Sequence, residues 1–157
     1  MPHLAMQLNS EDYNVLSYLL GKNMLSYEDG LRWAYSQFTS DGVDPFVEKI
    51  SLASDVREII ELISNEHQVY GSPSDQFLLG EIADKYLNGE MNISSAIHSA
   101  LYVSDLEFEK EEERALYLAD DYFGWHDKAE IEAKKLVNPI FIKYRPAYTC
   151  LASKFQA

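Results

Sequence analysis

The chain lacks the residues and runs that mark several protein classes. It has one cysteine, Cys150, and no apolar run near the length of a transmembrane helix, about 18 residues. A single cysteine excludes an intramolecular disulfide and a cysteine-rich zinc site. The first residues also lack the basic and apolar regions of a signal peptide. We therefore expect a soluble, cytoplasmic protein that has no membrane partner.

The common catalytic motifs are absent as well. The seven glycines form neither G-x-G-x-x-G nor the P-loop pattern, and the sequence contains no G-x-S-x-G or H-E-x-x-H. Cys150 lies after Pro146 near the end of the chain, and we interpret it as a structural or incidental cysteine and not as a nucleophile. The sequence thus predicts a protein that is not an enzyme and that has no cofactor.

Basic residues are scarce relative to acidic ones. Lysine plus arginine is 13 and aspartate plus glutamate is 26, so the formal net charge is 13 − 26 = −13. Such a charge repels nucleic acids and anionic lipids and favours a basic protein partner. The alternative is that the acidity serves solubility alone.

The charge is unevenly distributed along the chain. It is 4 − 11 = −7 in residues 1–70, 3 − 13 = −10 in residues 71–127, and 6 − 2 = +4 in residues 128–157. We expect the basic C-terminal segment to lie against the acidic remainder, and a separate basic surface is the alternative.

Local signals predict helices throughout the chain and give almost no support for strands. Apolar side chains recur at helical spacing, and most such segments follow a capping residue. The predicted starts are Asn9 or Ser10, Ser26, Pro45, Ser54, Ser72 with Pro73, and Asn92 or Ser94. We therefore predict an all-α fold, a single-domain multi-helix bundle of about seven or eight short helices over residues 1–157.

The later helices are less regular in sequence. Residues 104–107 (Ser-Asp-Leu-Glu) are typical of a capping box before a helix that runs to Phe123. A last helix is predicted for residues 128–145, with a kink or restart at Pro139 and a stop at Pro146. The residues that we place on inward faces in the first part of the chain include Tyr27, Leu31, Trp33, Tyr35, Phe38 and Leu52.

The densest run of acidic residues lies between residues 107 and 113. Glu109 and Glu113 are four residues apart on the predicted helix and repel each other by a few tenths of a kcal/mol. The run is either a solvated helix face or, with the aromatic residues that follow it, a binding face for a basic partner. Trp125 follows a glycine and is expected to be half exposed. The predicted partner-binding residues are Glu109, Glu112, Glu113, Asp120, Asp121, Tyr122 and Trp125.

The same region contains one pattern that resembles a metal site. Asp120, Asp121 and His126 lie within one to two helical turns, where carboxylates and an imidazole could share a metal ion. A helix break at Gly124 would separate them, and we predict no metal here.

A family resemblance involves the first helices. The segment Leu25-Ser26-Tyr27-Glu28-Asp29 follows a predicted helix end, and the next predicted helix contains Arg32-Trp33-Ala34. This pattern, continued through residues 45–53 and 55–63, resembles small all-helical bacterial proteins that look like immunity proteins of polymorphic toxin systems. It covers about the first 65 residues. The resemblance implies a non-enzymatic protein that neutralises a cognate toxin, and it carries no catalytic residues.

Three hypotheses follow from the sequence. The leading one is an immunity-type protein whose acidic face occludes a basic toxin domain. The second is an intracellular helical adaptor or regulator that forms a homodimer through its tyrosines, of which there are 11. The third, least favoured, is a metal-dependent enzyme that uses Asp120, Asp121 and His126. The sequence leaves the oligomeric state open.

Overall fold

The computed structural model describes residues 7–103 and 108–156. In these residues the regular structure consists of helices. They are α1 (Ser10–Gly21), α2 (Tyr27–Ser36), α3 (Pro45–Ser51), α4 (Val56–His67), α5 (Asp75–Leu87), α6 (Ile93–Val103), α7 (Lys110–Trp125), α8 (Ala129–Tyr144) and α9 (Pro146–Ala152), followed by a 3-10 turn, Ser153–Phe155. The predicted all-α, multi-helix fold is confirmed.

The chain divides into two compact units. Unit 1 consists of Met1–Pro73 with Leu151–Ala157, and unit 2 is Ser74–Cys150. The boundary therefore falls inside α9. The expectation of one domain over residues 1–157 stays a prediction.

Side-chain caps fix the starts of the helices in unit 1. The Asn9 side chain accepts from the Asp12 backbone N–H at 2.9 Å, and the Asp12 carboxylate accepts from the Asn9 N–H at 3.0 Å. Ser26 and Asp29 repeat this capping box at the start of α2. Pro45 is the first residue of α3, where its missing N–H costs no helical hydrogen bond. These predicted starts are confirmed.

Two predicted starts are displaced along the chain. Asp55, not Ser54, caps α4, since its carboxylate accepts from the Glu58 N–H at 2.8 Å. Ser74, not Ser72, caps α5 by accepting from the Phe77 N–H at 3.2 Å. Each stretch offers several capping side chains in succession, and the one that is used depends on where the helix packs. The predicted capping box at residues 104–107 lies outside the described residues.

The core of unit 1 contains Trp33, which is 1% exposed and meets the Phe155 ring at a centroid distance of 5.1 Å. Three residues predicted to face inward are instead exposed: Tyr35 at 56%, Phe38 at 41% and Leu52 at 75%. Phe38 and Leu52 lie just beyond the ends of their helices, so helical periodicity does not apply to them. Tyr35 is two residues after Trp33, which places it on the opposite side of α2.

In unit 2, α7 packs along α8, and Leu116 and Ala119 of α7 face the core of this unit. Helix α8 continues through Pro139 as a single element. Helix α8 ends at Tyr144, so the predicted stop at Pro146 is confirmed, and Pro146 is also the first residue of α9. A proline fits there because the first turn of a helix has unpaired N–H groups.

Among the described helices, none has the length and apolar character that crossing a lipid bilayer requires.

Candidate functional site

The acidic start of α7 is tied to α8 by Glu112. Its carboxylate accepts hydrogen bonds from Lys143 Nζ at 3.0 Å and from the Tyr144 hydroxyl at 2.7 Å. It also accepts from the Glu109 backbone N–H at 3.2 Å. The Glu112 side chain is only 12% exposed. Glu112 thus makes intramolecular hydrogen bonds that stabilise the α7–α8 packing.

Lys143 also reaches Glu109, whose carboxylate lies 3.6 Å from Nζ. This cation comes from a distant part of the sequence, since Lys143 is 31 residues from Glu112. The Glu109 side chain is still 72% exposed, and Glu113 is half-buried. Of the three predicted glutamates, Glu109 therefore retains the most accessible charge.

The Glu112 cluster predicts a pH dependence of stability. Burial raises the pKa of Glu112, but the hydrogen bonds from Tyr144, Lys143 and the Glu109 N–H outweigh it, so the pKa lies below its ordinary value of 4.5. A carboxyl whose pKa is depressed by folding stabilises the fold above its unfolded pKa and stops doing so as the pH falls through its folded pKa. We expect Glu112→Gln to cost about 1 kcal/mol at pH 7 and less below pH 4, measured by urea unfolding.

Glu111→Gln is the matched control, because Glu111 is an exposed neighbour on the same helix. It should change the free energy of unfolding by less than about 0.5 kcal/mol at either pH. Equal effects of the two substitutions at pH 7 would contradict the role assigned to Glu112.

The two aspartates near the end of α7 have different partners. Asp120 Oδ1 lies 2.5 Å from His98 Nε2 on α6, which links these two helices at the surface of unit 2. Asp121 accepts a hydrogen bond from the Trp125 indole N–H at 2.9 Å. His126, the third residue of the metal hypothesis, accepts through Nδ1 from the Lys128 backbone N–H at 3.0 Å. Within residues 7–103 and 108–156, no group of three or more histidine, cysteine or acidic side chains is arranged to hold a metal ion.

An aromatic cluster lies at the C-terminal end of α7. The Tyr122 and Trp125 rings meet edge to face at 5.6 Å, and His126 lies 5.0 Å from Tyr122 and 5.2 Å from Trp125. Trp125 is 64% exposed, which confirms the expected partial exposure. We call Asp121, Tyr122, Trp125 and His126 the α7 aromatic end. The Trp125 indole ring is exposed to solvent and oriented by the hydrogen bond that it donates to Asp121 of the same helix.

Sequence reasoning missed other exposed groups on α6 and α7. On α6, Tyr102 is 90% exposed and lies one helical turn after His98, the partner of Asp120. On α7, Tyr117 and Leu118 are 51% and 43% exposed. The spacing of Leu116 and Ala119 indicated the buried side of α7 and hence these outward positions, whereas Phe123, which we predict on the same side, is 39% exposed. The contact with α6 had no such local signal.

Three of the six basic residues in 128–157 pair with acids from earlier in the chain, as predicted, whereas Lys134 and Lys135 pair within their own helix. In unit 2, Arg145 Nε lies 2.8 Å from Asp84, and Lys143 pairs with Glu112. In unit 1, Lys154 Nζ lies 2.8 Å from the buried Asp12. Counting whole units, the formal charges are −6 for unit 1 and −13 − (−6) = −7 for unit 2. The two units therefore carry nearly equal negative charge, although residues 71–127 have the highest concentration of acidic residues in the sequence.

A search with protein-family models found no match for the chain, and searches among curated proteins and solved structures found none either.

Proposed function

We propose that this chain is a non-enzymatic binding protein of the immunity type, which covers the basic surface of a toxin domain with the α7 aromatic end. The observation that supports it most is Trp125, a large aromatic residue that is 64% exposed while its indole N–H is bonded to Asp121. Tryptophan is enriched among the residues that dominate binding energy at protein interfaces. A ring already held in one orientation loses less conformational entropy on binding.

The charge supports a basic partner for this surface. Asp121 and Asp127 lie within the last turn of α7 or just after it, and both are exposed. The net charge of −13 adds a long-range attraction to a positive surface. Such attraction mainly accelerates association and weakens as salt screens it. A bacterial immunity protein of this type would act in the cytoplasm, and that location is part of the proposal.

The proposal implies a cognate toxin gene next to the gene for this chain, and co-expression with that toxin tests it. We expect this chain to restore growth of cells that produce the toxin and to form a complex whose affinity falls with rising salt. Absence of rescue, together with absence of a complex at low salt, would refute the proposal.

Trp125→Ala tests the surface itself. We expect it to weaken the complex at least tenfold, which corresponds to about 1.4 kcal/mol or more, because a central aromatic contact is lost. Tyr70→Ala is the matched control, since Tyr70 is a 73% exposed aromatic residue of unit 1. It should change the affinity less than twofold. Calorimetric titration measures both, and equal effects would place the interface elsewhere.

A homodimeric adaptor is the second candidate, favoured by apolar side chains exposed on unit 2. They include Tyr102, Tyr117, Leu118, Ile131 and Ile142. Exposed apolar groups on neighbouring helices are a common feature of subunit interfaces. Sedimentation velocity distinguishes the candidates: a concentration-dependent dimer that Leu118→Glu dissociates would favour the adaptor.

A further inference from the structure

Unit 1 contains a pocket of about 450 Å³ that the proposed function does not use. Its walls come from the start of α1, the start of α3 and the end of α4. A volume of this size is within the range of pockets that hold small molecules or single side chains. The lining residues that matter for its chemistry are Tyr13, Asp44, Phe46, Glu66 and His67.

Three aromatic rings form one side of this pocket. His67 stacks on Tyr13 with a centroid distance of 4.4 Å and an interplanar angle of 22°. Phe46 meets Tyr13 edge to face at 4.9 Å and His67 at the same distance. The Ser10 hydroxyl lies 3.1 Å from His67 Nδ1 and so helps to hold the imidazole ring. The aromatic surface is therefore built from three helices and fixed by packing.

Two carboxylates provide the charge. Asp44 Oδ1 accepts from the Phe46 N–H at 2.8 Å as the cap of α3, and its second oxygen is not used by that bond. Glu66 is exposed near the end of α4. Asp12, which lies next to Tyr13 in sequence, is already paired with Lys154 at 2.8 Å. No ion pair with a lysine or arginine involves Asp44 or Glu66 within the described part of the chain, whose ion pairs lie elsewhere.

The tyrosine stays neutral under ordinary conditions. Burial, followed by the negative charges of Asp44 and Asp12, raises the pKa of Tyr13 to about 12. Its phenol therefore keeps its proton at neutral pH, and the negative charge that lines the pocket is that of the carboxylates. Aromatic rings attract organic cations through the ring quadrupole, and neighbouring carboxylates attract them by direct ion pairing.

We infer that this pocket binds a guanidinium group. A guanidinium is planar, stacks on aromatic rings, and carries donors that can reach carboxylates from two helices, whereas an ammonium is a compact, strongly hydrated point charge. The arginine side chain of a protein partner and a free small guanidinium compound share this chemistry. The inference does not depend on the proposed function, because all the residues involved belong to unit 1 and the α7 aromatic end belongs to unit 2.

The test is an NMR titration of the full chain with three probes. They are the capped peptide acetyl-Gly-Arg-Gly-amide, the same peptide with citrulline in place of arginine, and methylguanidinium. We expect the arginine peptide to shift the amide signals of Phe46 and His67 and to bind at least tenfold more tightly than the citrulline peptide. Methylguanidinium binding as tightly as the arginine peptide would indicate a small-molecule ligand, and much weaker binding would indicate a partner's arginine.

Variants locate the site. Asp44→Asn keeps a good helix-capping residue, and Glu66→Gln keeps the side-chain size, so both should fold. Each should weaken binding of the arginine peptide at least fivefold. Glu28→Gln, which removes the same charge from an exposed position on α2, should change the binding less than twofold. Trp125→Ala should leave binding of the arginine peptide unchanged. A failure of the guanidinium inference is therefore distinguishable from a failure of the proposed function. Equal binding of the arginine and citrulline peptides, no shift with either, or equal effects of all three charge variants would overturn the inference.

Discussion

Replacing Trp33 by alanine is expected to lower the free energy of unfolding of unit 1 by about 3–5 kcal/mol. The side chain is 1% exposed and contacts the rings of Phe155 at 5.1 Å and Tyr13 at 6.4 Å. Truncation would remove a large apolar surface and leave a cavity between α1, α2 and the C-terminal turn. Urea unfolding followed by far-UV circular dichroism measures the loss.

Two variants of the same helix separate burial from other effects. Tyr35→Ala removes a 56% exposed aromatic residue of α2 and its hydroxyl bond to the Ser51 carbonyl at 3.3 Å, and it should cost less than about 1.5 kcal/mol. Trp33→Phe keeps much of the buried ring. The Trp33 indole N–H has no hydrogen-bond partner among the described residues, so its removal breaks no such bond. A Trp33→Phe loss as large as that of Trp33→Ala would contradict this account.

Replacing Gly80 by alanine is expected to destabilise unit 2 by about 3 kcal/mol, the upper part of the usual range for overpacking. A methyl group on Gly80 would lie 2.7 Å from the Tyr144 carbonyl oxygen and 2.7 Å from the Tyr148 backbone nitrogen. Both are backbone atoms and cannot move aside as a flexible side chain would. The α5 helix therefore needs glycine where it meets the end of α8 and the start of α9.

Gly124 is the matched control for this substitution. It also lies inside a helix, α7, but a methyl group there would meet no atom of the described residues within 4 Å, apart from its chain neighbours and its own helix backbone. Gly124→Ala should therefore raise the free energy of unfolding by about 0.5–1 kcal/mol, because alanine loses less backbone entropy than glycine in a helix. Thermal unfolding of both variants checks the opposite signs. Destabilisation by both, or by neither, would show that the close approach at Gly80 is not the cause.

The local part of the fold was predictable from the sequence. The starts at Asn9, Ser26 and Pro45 could be predicted because each depends on residues within four positions of one another. Asn9 and Ser26 form capping boxes, and Pro45 is the first residue of α3. The same locality explains the errors. Where several capping residues follow one another, as before α5, sequence propensity does not choose among them. Pro146 follows the end of α8, as predicted, but the sequence pattern did not indicate that it also begins α9.

The candidate surfaces were predictable only in part. The acidic and aromatic residues of α7 were identified from composition and spacing, including the exposure of Trp125. Their partners were not. Lys143 is 31 residues from Glu112, and His98 is 22 residues from Asp120. The pocket of unit 1 had no sequence signal at all, because its aromatic side chains come from three separate helices.

The sequence by itself determined the helical class, most helix starts, the strong net negative charge and the absence of the common catalytic motifs. These properties depend on composition and on interactions between residues a few positions apart. The tertiary structure decided which charges are paired, where glycine is obligatory, and which aromatic rings share a pocket. Those outcomes depend on contacts between distant parts of the chain, which form only when helices pack side by side. The net negative charge is accordingly a property of the whole sequence. Which carboxylates stay exposed and available to a partner depends on the tertiary contacts that pair or bury the others.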